Sequence, residues 1–122
     1  MSKRIYIAGP MRGVPYYNFP AFIRAKARLV GTWDVVSPVD LDASVNFDAM
    51  ILPETTDWHE IPPGFDLKAA IKRDIDAILT CDAIYMMDFW WNSKGASAEF
   101  AVAKWLGLQI VQEIISEPVV NG

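Results

Sequence analysis

The chain has 122 residues, enough for one domain with its own core and too few for two. Hydrophobic residues make up 52% and charged residues 21%, the reverse of the balance that keeps a chain disordered. A net charge of −4 argues against a nucleic-acid polymer as partner, and one Cys and one His exclude an internal disulfide and a Cys/His zinc site.

No apolar run reaches the roughly 18 residues of a membrane span, and the start of the chain lacks the apolar stretch of a secretory signal. A cytoplasmic protein with no membrane partner is expected. No cofactor or metal site is expected either, although a site made only of carboxylates stays open.

Residues 4–8 (Arg-Ile-Tyr-Ile-Ala) read as a strand stopped by Gly9-Pro10. Residues 10–18 are rich in turn formers. A helix follows over 19–30, with Asn18 as N-cap candidate, Pro20 in its first turn and Gly31 at its end. Residues 33–37 read as a second strand, closed by Pro38. The segment 38–66 holds Pro38, Pro53, Pro62, Pro63, Gly64 and the lone His59, and reads as a long functional loop with a short helix near 43–52. An amphipathic helix is expected over 67–80, with Leu67, Ile71, Ile75, Ile78 and Leu79 as its core stripe. The run 83–87 reads as a strand covered on both faces. After an aromatic loop, Phe89-Trp90-Trp91, a helix is expected over 96–106, opened by Gly95 and ended by Gly107, then a fourth core strand over 108–112. The tail from Glu113 is ambiguous.

The order β-α-β-loop-α-β-α-β predicts a single α/β domain over 1–122, doubly wound in the Rossmann or flavodoxin manner. Its sheet is mostly parallel, with helices on both faces. Ligands of such sheets bind beyond the C-terminal strand ends, where the loops 9–18, 38–66 and 88–97 should gather.

Three constellations there could carry chemistry. Ser93-Lys94-Gly95-Ala96-Ser97-Ala98-Glu99 runs from a strand into a helix, where free N–H groups and the helix dipole suit a phosphate. An ordinary strand-to-helix turn reads the same way. At about 100° per residue, Glu99 shares a face with Val102, Ala103 and Leu106, and a carboxylate on an apolar face needs a partner or a function. Asp74 repeats the puzzle: Ala70 and Ile78 lie four residues either side, whereas Asp76 has Lys72 as a surface partner. Two carboxylates facing one pocket can divide into nucleophile and acid/base. The third constellation is Gly9-Pro10-Met11-Arg12-Gly13, whose Arg12 could grip a phosphate or could be a solvated loop residue. Tyr6, in the strand before it, could hydrogen-bond a carboxylate. Trp90 and its aromatic neighbours suit stacking on a base, or packing. His59 reads as a loop histidine and Cys81 as a small buried hydrophobe.

Together these residues resemble the nucleoside 2-deoxyribosyltransferase-like superfamily, from Ile5 to about Val111. The resemblance is carried by Ile5-Tyr6-Ile7-Ala8-Gly9-Pro10-Met11-Arg12-Gly13, Arg73-Asp74-Ile75-Asp76 with Cys81-Asp82, and Ser93-x-Gly95-x-Ser97-x-Glu99. The opening, with Asn18-Phe19-Pro20-Ala21-Phe22, is similar to small phage and bacterial members of unknown function. The functional resemblance is to the 2'-deoxynucleoside 5'-monophosphate N-glycosidases. It implies Glu99 as nucleophile, Asp74 as acid/base partner or sugar-hydroxyl ligand, and Tyr6 as the residue orienting Glu99. It implies Gly9, Arg12, Gly13, Ser93, Gly95, Ser97 and Trp90 around the substrate, with Arg12, Ser93 and Gly95 on the 5'-phosphate. Ser97 stands where those enzymes have Gly, Ala98 where they have an aromatic residue, and the segment 46–66 is longer. The implied reaction is cleavage of the N-glycosidic bond of a (deoxy)nucleoside 5'-monophosphate, by hydrolysis or base exchange, through a glycosyl-Glu99 ester, and the partner is a small-molecule nucleotide or nucleoside. A homodimer or higher homo-oligomer is implied too. The reading from another class is a non-catalytic nucleotide sensor or sequestering protein on the same fold.

Overall fold

The computed structural model describes residues 2–113. Four strands, β1 (Arg4–Ala8), β2 (Asp34–Val36), β3 (Ala83–Met86) and β4 (Gln109–Gln112), form one parallel sheet in the order β2-β1-β3-β4. The helices are α1 (Phe19–Leu29), α2 (Pro38–Ala43), α3 (Leu67–Ile78) and α4 (Lys94–Leu106). The chain is therefore the expected α/β sheet with helices on both faces.

Alternation along β1 sorts the two layers. Ile5 and Ile7 pack with Phe22, Ala25 and Leu29 of α1. Tyr6 and Ala8 face the other way, with Ile78 of α3 and Ala103 of α4. These eight apolar residues and Tyr6 are at most 9% exposed, and each large side chain contributes about 1.5–3 kcal/mol by leaving water. The sheet order reverses between β1 and β3, which places their C-terminal ends at the switch point. There Gly9 has a steric role: a Cβ on it would lie 2.7 Å from Met87 Sδ and 2.8 Å from Met87 Cβ.

Several elements differ from expectation. Asn18 holds the N-cap position of α1 as expected, but its side chain makes no capping hydrogen bond. It has a left-handed φ of 64°, as do Tyr16 and Tyr17 at 55° and 48°, and its amide donates to Pro10 O at 2.8 Å instead. Pro38 does not merely end β2: with Ser37 as N-cap, accepting from the Val39 N–H, it opens α2. The helix expected near 43–52 is divided between α2, which ends at Ala43, and a short 3-10 turn at Ala49–Ile51. Helix α4 starts at Lys94, one residue before Gly95, because Ser93 Oγ accepts from Ala96 N at 3.1 Å. The stripe expected to anchor α3 is rotated. Ala70 and Ile78 are buried, while Leu67, Ile71 and Leu79 are exposed. Strand β4 is a half-exposed edge and not a core strand. Glu113, at the end of the described chain, pairs with Arg28 at 2.7 Å, and the tail beyond it lies outside the described residues.

Candidate active site

The rotation of α3 builds the site. Ala70, Asp74 and Ile78 lie on one line of the helix, and the buried members at either end carry Asp74 inward. On α4, Ala96 and Ala103 do the same for Glu99. Tyr6, fully buried in the central strand, points into the gap and donates from Oη to Glu99 Oε2 at 2.7 Å. The three residues singled out in the sequence thus meet on one face of the sheet, from β1, α3 and α4.

The electrostatics follow from burial. Desolvation, with Asp74 nearby, pushes Glu99 up to about 8, although the Tyr6 hydrogen bond pulls it down. Desolvation and the charge of Asp42 push Asp74 up to about 7, against the pull of Arg73. The Tyr6 phenol is raised well above its ordinary value by burial and by Glu99, Asp74 and Asp42, so it remains a proton donor. Asp74 and Glu99 titrate as a pair, and they keep a proton at neutral pH that a hydrated pair would have lost. Asp74 Oδ1 is buried without a hydrogen-bond partner, an acceptor position that a ligand hydroxyl would satisfy.

The loops supply the surroundings. Segments 9–18 and 46–66 are joined as expected: Gly13 N donates to Trp58 O at 2.8 Å, and Tyr17 Oη donates to Glu60 O. Gly13 needs its glycine, with φ of 86° and a would-be Cβ 3.1 Å from the exposed His59 ring. Arg12 is exposed and makes no ion pair among the described residues. Ser93 spends its oxygen on the α4 cap, Gly95 is exposed and a Cβ on it would meet Ser93 Oγ at 3.9 Å, and Ser97 is half-buried. Trp90 packs on Phe100 of α4 with ring centroids 4.5 Å apart, which makes it a packing residue first. A depression of about 480 Å³ opens beside Arg73, lined also by Phe47, Leu52, Pro62, Phe65 and Asp66. Glu99 does not line it, so the pocket expected around Glu99 is not this one. Among the described residues no group of three or more His, Cys, Asp or Glu is arranged to hold a metal ion, and no helix is long and apolar enough to cross a membrane.

The family model described as "Domain of unknown function (DUF4406)" matches residues 3–112. The chain belongs to this family. No curated protein matches the DUF4406 chain. Among solved structures it is similar to "2-desoxiribosyltransferase from Leishmania mexicana", with a TM-score of 0.56 and 25% identity over 90% of this chain. It spans 63% of that chain's length. The fold is therefore nucleoside 2-deoxyribosyltransferase-like, as the resemblance implied.

The DUF4406 chain adds a residue that the sequence reading passed over. Asp42, on α2, is 5% exposed, 3.7 Å from Arg73 Nη2, and faces Asp74. It was hidden because 38–66 reads as irregular, which leaves Asp42 with no helix face to judge. The overlooked signal was Ser37-Pro38, an N-cap followed by proline at the first helical position.

Proposed function

We propose that this protein cleaves the N-glycosidic bond of a nucleoside 5'-monophosphate or nucleoside, with Glu99 as nucleophile. The observation that carries the reading is the Tyr6 Oη to Glu99 Oε2 hydrogen bond of 2.7 Å, made on a partly buried carboxyl pair. The similarity to a protein titled 2-desoxiribosyltransferase supports glycosyl transfer as the broad chemistry.

The Glu99 carboxylate forms a bond to the anomeric carbon as the bond to the base breaks. Tyr6 donates to Glu99 and holds its attacking oxygen in place. Asp74 protonates the departing base or binds a sugar hydroxyl. Water then cleaves the ester to release free sugar, or a second base takes its place. Arg12 and the Ser93–Gly95 turn hold the 5'-phosphate, Ser97 and Trp90 border the sugar and base, and Gly9 and Gly13 shape the loop. No cofactor is required by this chemistry.

The test is a panel of nucleotides and nucleosides incubated with the protein, with free base followed by chromatography. Base release from the wild type, abolished in Glu99→Gln with ligand binding retained, is the expected result. Binding without release by the wild type would instead identify a sensor or sequestering protein.

A further inference from the structure

Asp42 is the most buried carboxylate residue among the described ones, and the glycosidic reading gives it no task. It sits in the last turn of α2, where helix carbonyls disfavour an anion. Its compensation is Arg73, whose Nη2 lies 3.7 Å from Asp42 Oδ1. Arg73 directly precedes Asp74 on α3. A guanidinium turned to Asp74 would give that carboxylate an ionic partner and hold it ionised. The structure shows the other arrangement: Arg73 is drawn to the α2 side, and Asp74 Oδ1 has no donor. Arg73 Nε is also buried without a partner, so the guanidinium is held through its far end alone.

We propose that Asp42 is a positioning residue for Asp74: by holding the Arg73 guanidinium toward α2, it leaves Asp74 Oδ1 without an ion-pair donor beside Glu99 and Tyr6, so that Asp74 holds its proton more firmly than it would with Arg73 turned to it. The inference rests on reading Asp74 as the acid partner of Glu99. Four groups face Asp74, and their directions are known. Asp42 from α2 favours its protonated form, while between Asp74 and Glu99 of α4 the like-charge repulsion falls on Glu99, which Asp74 raises. Arg73 from its own helix favours the ionised form. The Tyr6 phenol from β1 stays neutral and is committed to Glu99.

Removing Asp42 therefore acts twice in one direction. It deletes a negative charge facing Asp74, and it releases Arg73 to pair there. Asp42→Asn should lower the titration midpoint of Asp74 by about 1–3 pH units, the scale for a carboxyl gaining a cation within reach. Arg73→Met should raise it. In the double variant, Asp42→Asn with Arg73→Met, the midpoint should return toward that of the wild type. The step caused by Asp42→Asn should be smaller without Arg73 than with it, because no guanidinium remains to move.

The experiment is a ¹³C NMR titration of the Asp74 side-chain carboxyl in the ligand-free full chain, for the wild type and the three variants. It needs no turnover, so it stands or falls separately from the glycosidic reading. Midpoint shifts of opposite sign in the single variants, with the coupling lost in the double, support the proposal. An Asp42→Asn shift of equal size with and without Arg73 overturns it, because Asp42 would then act by its charge alone. An unmoved midpoint in both single variants overturns it as well. Where base release is measurable, its alkaline limb should move to lower pH in Asp42→Asn and higher pH in Arg73→Met. A merely structural ion pair would leave that limb in place.

Discussion

Each acidic residue of the site is set apart by what lies four residues away. Asp76 pairs with Lys72 at 2.6 Å on the exposed side of α3, whereas Asp74 sits between buried Ala70 and Ile78. That contrast was legible in the sequence, since helical spacing alone separates the two. Glu99 was legible for the same reason, among small apolar neighbours on α4. Tyr6 was half legible: strand alternation gave its burial, but not which of many acceptors its hydroxyl would meet. Arg12 marks the limit of such reading, because a loop has no period to fix where its side chain goes. If Arg12 serves the 5'-phosphate, Arg12→Ala should weaken a nucleoside monophosphate by about 1.5–3 kcal/mol and leave the matching nucleoside nearly unchanged. Calorimetric titration of both ligands checks this. Equal losses would make Arg12 a structural residue.

The elements that sequence periodicity located best are those whose burial is simplest. Strands β1 and β3 are apolar and covered on both faces, and they were placed within a residue. Helix α3 was placed well but its inward face was not, since the pattern favours the large residues Leu67, Ile71 and Leu79 over Ala70. The packing instead uses Ala70, whose small side chain lets α3 lie close to its neighbours and brings Asp74 inward. Close approach also explains Gly9, just past the adjacent C-terminal ends of β1 and β3. Gly9→Ala would drive a methyl against both Sδ and Cβ of Met87. Rotation of the thioether relieves the first contact, but the second requires the strand ends to part. A loss of about 1–3 kcal/mol is expected, the usual cost of overpacking, and a urea unfolding curve measures it. A loss below about 0.5 kcal/mol, the range of neutral surface changes, would show that the two strand ends yield freely.

At the scale of the molecule, two properties follow from what the fold leaves uncovered and what it buries. On α4 Trp105 is 89% exposed, and Leu106 of α4, Ile71 of α3 and Leu79 at its end are each about half exposed. Trp90 is partly buried against Phe100, while Trp91 is 53% exposed. Apolar area of this kind on a small chain predicts self-association, so light scattering at micromolar concentration should give at least a dimer, and Trp105→Glu should weaken it. Buried acids shape stability in the opposite sense from ordinary salt-bridged ones. Asp42, Asp74 and Glu99 rise from 3.8, 3.8 and 4.5 to about 6, 7 and 8. Below the lower values, folded and unfolded chains both carry the protons. Between the lower and upper values the folded chain alone retains them, so each rise in pH favours unfolding. Above about 8 the full penalty of three buried charges is present. A site assembled for chemistry thus weakens the fold as pH climbs, and removing the Glu99 charge should lessen that. Thermal unfolding of the wild type and Glu99→Gln, followed from pH 5 to pH 9, reads the contribution of Glu99 together with its coupling to Asp74. The melting temperature of the variant should gain on the wild type steadily across that window, ending higher at pH 9 while base release is lost. A difference that stays constant with pH would mean that Glu99 ionises alike in the folded and unfolded chain, and the carboxyl pair could not be holding its proton.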